Sequence, residues 1–204
     1  MKSHKIIIFF APMNLPKLYL ALTGIVILIL GITQIFTESI DIVRRIHLLN
    51  TNELDTFFKY YTQFGETPLI LGSLLIVWRM HPSYFKAALI SVLVNTIIIQ
   101  GLKHGIGSPR PYWELGDEFR EIDGVAILKS LSFPSGHSAA AVLGCGFLSC
   151  IFIKWWQQLL LWIAAISVAY SRMYLGLHYS LDIWAGLIIG TCSLWFFLYL
   201  VRQK

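Results

Sequence analysis

The sequence predicts an all-α integral membrane protein with six transmembrane helices and a short interfacial helix between spans one and two. Three observations carry that prediction. Apolar residues make up 56% of the chain and charged residues 13%, against roughly 25% charged in a soluble domain. Mean hydropathy is +0.67. Apolar runs recur at lengths close to the roughly 17 to 25 residues that cross a bilayer. With 204 residues and no linker, repeat or low-complexity segment, residues 1–204 read as one membrane-embedded domain.

The elements follow in order. Residues 1–17 form a basic tail; no small-residue cleavage site separates them from the next apolar run, so the first helix is retained. Residues 18–36 are the clearest span. The second covers Phe64 to Met80, with Pro68 in its first turn, where a missing N–H costs little. The third covers Tyr84 to Leu102, the fourth His137 to Ile153, the fifth Gln157 to Tyr174 and the sixth Asp182 to Val201. Trp78, Tyr84, Trp155, Trp156, Trp184 and Trp195 fall near span ends, as interfacial anchors do. In residues 37–63, Leu54, Phe57, Phe58, Tyr61 and Phe64 recur at helical spacing, and Asn52 is placed to cap that helix with Asp55 three residues on. It reads as a helix on the membrane surface or a cap on the bundle. Cys145, Cys150 and Cys192 lie in apolar runs without metal-ligand spacing and read as small buried hydrophobes. Gly186 and Gly190 permit close helix contact within the monomer.

Charge orients the spans. Lys2, Lys5, Lys17, Arg79, Lys86, Lys154, Arg202 and Lys204 fall on one side, and all 11 acidic residues on the other or at its edge. The other side also carries eight Lys and Arg, but three belong to the polar clusters described below and five are spread over much longer loops, which places both termini in the cytoplasm of a multi-pass inner (plasma) membrane protein. The net charge of +5 is scattered at span ends without interleaved aromatics. It suits anionic headgroups and gives no basis for nucleic-acid binding. Oligomeric state is not legible.

The polar residues that remain form three clusters. Lys103 closes the third span and Arg110 follows seven residues later. Ser135 and Gly136 precede His137, which opens the fourth span. Arg172 ends the fifth, and His178 and Asp182 straddle the start of the sixth. An up-down path of six helices brings these ends to one face, the outer one facing the periplasm or exterior. Lys103, Arg110 and Arg172 supply positive charge, two of them as forks that match phosphate oxygens. Ser135 and Gly136 can offer backbone N–H groups at a helix start. His178 and Asp182 are one helical turn apart, so the carboxylate can accept the Nδ1–H and leave Nε2 for phosphorus. An imidazole so oriented can attack and form a phosphohistidine. His137, on another helix, can protonate the leaving oxygen and then activate water. The cations can stabilise the transferring phosphoryl group, so the chemistry requires no metal or other cofactor.

Lys103-xxxxxx-Arg110-Pro111, Pro134-Ser135-Gly136-His137 and Ser171-Arg172-xxxxx-His178-xxx-Asp182 resemble, complete and in order, the three signature motifs of the type 2 phosphatidic acid phosphatase (PAP2) superfamily. The resemblance covers residues 103–182, and the six-span layout extends it. It implies a PAP2-type bundle, His178 as nucleophile oriented by Asp182, His137 as general acid, and Lys103, Arg110, Ser135, Gly136 and Arg172 around the phosphate. For the membrane branch it implies metal-free hydrolysis of a lipid phosphate or diphosphate, with membrane lipids as both substrate and solvent. Undecaprenyl diphosphate, a carrier lipid of wall synthesis, is the favoured substrate by analogy. Phosphatidylglycerol phosphate, phosphatidic acid, diacylglycerol pyrophosphate and lipid A stand as alternatives. Vanadate-dependent haloperoxidases share these motifs but are soluble and larger. A transporter or channel would place its charges near the midplane rather than at one face.

Overall fold

Small residues recur along GHSAAAVLGCGFLSC, and small side chains let neighbouring helices approach closely. That stretch forms the central helix of the bundle. A computed structural model of the chain describes residues 13–65 and 67–203. The basic N-terminal segment with Lys2, His4 and Lys5, the Phe64 side chain, and Lys204 lie outside what it describes. The described helices are α1 (Lys17–Phe36), α2 (Ser39–His47), α3 (Asn52–Tyr61), α4 (Thr67–Met80), α5 (Pro82–Ile106), α6 (Tyr112–Leu115), α7 (Gly136–Ile151), α8 (Trp155–Tyr174) and α9 (Ser180–Arg202).

Helix α7 packs against α4, α5, α8 and α9, and 12 of its 16 residues are buried. Gly186 and Gly190 fit α9 against it. A Cβ on Gly186 would lie 2.5 Å from the Ser135 carbonyl oxygen, and one on Gly190 would lie 2.6 Å from that of Ala139. The G-x-x-x-G pair is therefore spent inside the monomer. Phe147 and Phe197 meet edge to face at 4.7 Å in the same interface. Tyr19 on α1 donates its hydroxyl to the Val142 carbonyl (2.8 Å) and its backbone N–H to Gln158 (3.2 Å), tying α1 to α7 and α8.

The six-span expectation needs correction. Three helices among the described residues are long and apolar enough to cross a membrane: α1, α5 and α9. Helix α4 has 14 residues and α7 has 16, about 21 and 24 Å of rise against a hydrocarbon core of ~30 Å. Helix α7 is sheltered on nearly all sides, so its length need not match the lipid. Helix α8 has 20 residues, but Gln157, Gln158, Arg172 and three tryptophans dilute its hydropathy. Exposed Ile25, Leu28 and Ile32 on α1, Leu71 and Leu75 on α4, and Leu93 and Ile97 on α5 give the bundle an apolar outer belt. The architecture is all-α, multi-helix and membrane-associated.

Local differences have simple causes. Residues 37–63 hold an additional helix, α2, ahead of the expected one, which starts at Asn52. Thr51, not Asn52, caps α3: its Oγ1 accepts the Leu54 N–H at 3.2 Å. Cys145 and Cys150 are buried, but Cys192 is exposed on the outer face of α9. Trp184 is no interfacial anchor, since its Nε1 donates to the Ile27 carbonyl at 2.9 Å between α9 and α1.

Candidate active site

The turn between α8 and α9 sets the site. Gly176 has φ 65°, a left-handed conformation that glycine adopts without strain. Its N–H donates to the Met173 carbonyl (2.9 Å) and that of Leu177 to the Arg172 carbonyl (2.9 Å). This is a Schellman closure of α8. It brings His178, two residues later, back beside Arg172. The chain re-enters a helix at Ser180, and Asp182 in its first turn accepts the Tyr179 N–H at 2.9 Å.

His178 is 2% exposed. Its Nδ1 lies 3.3 Å from Asp182 Oδ2 and its Nε2 lies 3.3 Å from Arg110 Nη1. A guanidinium only donates. Nε2 is therefore the acceptor, and the ring proton sits on Nδ1, facing the carboxylate. Burial, then the charges of Arg172, Arg110 and Lys103, hold this imidazole well below its ordinary range, so it stays neutral and its Nε2 lone pair is available.

Two arms of the loop between α5 and α7 bring the other groups in. Pro109 and Ser130 pair in an antiparallel bridge, the Arg110 N–H donates to the Lys129 carbonyl (3.3 Å) and that of Ser132 to the Ser108 carbonyl (3.1 Å). Arg110 then donates Nε to Ser130 (2.9 Å), Nη1 to Leu177 (2.6 Å) and Nη2 to Leu131 (3.2 Å), all backbone carbonyls. Lys103 Nζ, from the last turns of α5, donates to the Leu131 carbonyl at 2.7 Å. Arg172 Nη1 donates to Thr62 Oγ1 at 2.8 Å. The fields of Arg172, His178, Lys103 and Arg110 all reach His137 in the first turn of α7. The three predicted clusters thus meet at one end of the bundle.

Ser135 departs from its expected place. Its N–H donates to the Asp182 carbonyl at 3.0 Å, and its hydroxyl accepts the Ser138 N–H at 3.4 Å as the cap of α7. It joins the α7 head to α9 rather than presenting its amide to an anion. The first-turn amide of Gly136 lies beside it, and a Cβ there would stand 3.9 Å from Lys103 Cε.

Two residues were missing from the sequence reading. Ser132 is wholly buried and donates its hydroxyl to Asp182 Oδ2 at 2.5 Å, closer than the imidazole. Thr62 fixes Arg172. Ser132 lies in a non-periodic loop, and Thr62 is a polar residue in the helical turn that follows α3. Two cavities flank the pair. One of about 390 Å³ reaches Gly136 and His137 between α4, α5 and α7, past Asn95, Thr96 and Gln100. Another of about 480 Å³ reaches Asp182 from the side of Glu38, Glu114 and Tyr179. Among the described residues, no group of three His, Cys, Asp or Glu side chains converges as metal ligands.

Residues 84–204 match the PAP2 superfamily. The chain belongs to that family. The "Lipid A 4'-phosphatase" of Bacteroides thetaiotaomicron is 39% identical over 71 residues, 35% of this chain and only 32% of that protein, so the match spans about a third of its length. The "Undecaprenyl-diphosphatase" of Sulfolobus acidocaldarius is 26% identical over 155 residues, 71% of this chain and 70% of that one. The crystal structure of Aquifex aeolicus LpxE superposes with a TM-score of 0.70 at 26% identity, covering 78% of this chain and 93% of that one. This PAP2 chain therefore has the family's membrane fold, and the motif residues meet at one end of its bundle.

Proposed function

We propose that the protein hydrolyses the phosphate or diphosphate of a membrane lipid through a phosphohistidine on His178. One observation carries the reading: a buried, neutral imidazole with Nδ1–H on Asp182 and Nε2 beside Arg110, at the meeting point of Lys103, Arg172 and His137. In the first step Nε2 forms a bond to phosphorus as the P–O bond to the leaving group breaks. Burial and the surrounding cations lower the proton affinity of His137 in the free protein; the negative charge of a bound phosphate restores the proton that His137 gives to the departing oxygen. Asp182 holds the cationic ring in orientation, and the three cations balance the equatorial oxygens. In the second step His137 takes a proton from water, whose oxygen attacks phosphorus and frees inorganic phosphate and His178. These charges come from the chain, so turnover should persist in chelator.

In this proposal both termini are cytoplasmic and the site lies at the outer headgroup level. The acidic loops at the site end and the Lys and Arg bias at the other support this orientation. For the substrate, the analogy to undecaprenyl diphosphate is supported by similarity to the Sulfolobus protein over 71% of the chain. A second reading, a phosphate of lipid A, is supported by the 39% identity over 71 residues to the Bacteroides "Lipid A 4'-phosphatase". Initial rates on undecaprenyl diphosphate, phosphatidylglycerol phosphate, phosphatidic acid and lipid A, in matched detergent with chelator, decide among them. Release of phosphate from none of the four by folded protein would overturn the phosphatase reading. Preference for another lipid would overturn the first substrate choice.

A further inference from the structure

A buried imidazole outside the signature motifs adds a further tie between the loop joining α5 to α7 and the catalytic turn. His47, the last residue of α2, is wholly buried. Its Nδ1 lies 2.8 Å from the Tyr174 carbonyl oxygen, within the final turn of α8. Its Nε2 lies 2.9 Å from the backbone N of Arg120, in that loop. A carbonyl only accepts and a backbone amide only donates. Both bonds exist together only when His47 is neutral with its proton on Nδ1.

The ring is packed as well as bonded. Phe119 stacks on it at 5.4 Å. A Cβ on Gly176 would stand 3.2 Å from His47 Cε1, so the ring rests on the turn between Arg172 and His178. The charged and titratable groups around it come from three further elements. Asp55 on α3 pairs with Arg120 Nη1 and accepts the Tyr174 hydroxyl at 2.7 Å. Arg120 Nη2 donates to the His47 carbonyl at 3.4 Å, and its guanidinium lies 5.8 Å from the Tyr174 ring centre. On its own helix, Arg44 binds Glu118 of the same loop at 2.6 Å.

We propose that His47 is a positioning residue whose neutral ring latches the loop between α5 and α7 to the turn bearing Arg172 and His178, and whose protonation releases that loop. A second ring proton would set Nε2–H against the Arg120 N–H and add charge beside the guanidinium; Asp55 is already shared between Arg120 and Tyr174. Burial, and to a lesser degree Arg120, lower the affinity of His47 for that proton, while the Tyr174 carbonyl and Asp55 oppose the shift. The docked value thus lies below the free one of about 6.5. The latch is at full strength above that free value and weakens as pH falls from it toward the docked value. The released loop carries Arg110 at one end and the PSGH turn at the other, so release loosens the phosphate cup. That consequence for turnover rests on the phosphatase reading; the latch itself does not.

Hydrogen exchange of residues 112–130 in the purified full-length protein, corrected for intrinsic pH dependence, tests the latch without substrate. Between pH 7.5 and pH 5, exchange in the wild type should rise several-fold. His47→Gln keeps one donor and one acceptor without titrating, so it should stay protected at both pH values. A wild-type loop equally protected at both would overturn the proposal whether or not the variant folds, as would a folded His47→Gln that opens like the wild type. Phosphate release across the same pH range reports separately on the catalytic consequence: a loop that opens in a protein inactive at every pH would contradict the phosphatase reading alone.

Discussion

At the residue scale, the account turns on which atom holds each proton. Asp182 Oδ2 receives three donors: the Ser132 hydroxyl, the Tyr179 N–H and the His178 Nδ1. Ser132 thus helps aim the carboxylate that aims the imidazole. Ser132→Ala should lower kcat roughly ten- to a hundredfold, the worth of one hydrogen bond to a charged group. KM should change little, as steady-state rates would show. Arg110 is tied to three backbone carbonyls as well as to His178. Arg110→Lys keeps the charge but cannot reproduce that fork. It should lose most activity, and a variant with wild-type kcat/KM would contradict the assigned role. Seven of the motif residues stood out in the sequence because each carries charge, a ring nitrogen or turn chemistry against an apolar background. Ser132 did not: a serine in a loop of several serines becomes informative only once its burial against Asp182 is seen. Ser135 was half legible, since its cap role follows from its place before α7 but the use of its amide by α9 does not.

At the element scale, two helix contacts hold the site in shape. The head of α7 sits on α9 through Gly186 and Gly190, with backbone carbonyls at the points of contact. Backbone cannot step aside as a flexible side chain does. Gly186→Ala should push the PSGH turn away from Asp182, costing about 1 to 3 kcal/mol of stability and more activity than that loss explains. A thermal shift assay beside phosphate release at a temperature well below unfolding separates the two. Gly176→Ala strains a left-handed residue and crowds His47 and Phe119; it should destabilise by about 1 kcal/mol or more. Helix existence was legible from apolar runs, with ends displaced by a few residues. The length of α7 was overestimated because Phe152 and Ile153 continue its apolar run after the helix has ended. Helix α2 was missed because the helical spacing in the sequence reading begins only after Asn52, while α2 has just nine residues.

At the scale of the whole molecule, bringing three motifs to one end requires an alternating path, and in the proposed orientation that end faces outward. A membrane-impermeant thiol reagent on intact cells should label Glu121→Cys and spare Lys154→Cys; the reverse would invert the topology. Fold and site are coupled, because the turn closing α8 and opening α9 also positions Arg172, His178 and Asp182. The most direct test of the mechanism is rapid-quench trapping with lipid labelled in its phosphate. The account predicts an alkali-stable, acid-labile phosphoryl group on His178, formed no more slowly than product and absent from His178→Ala. Steady turnover with no such group on His178, or undiminished turnover in His178→Ala, would contradict it.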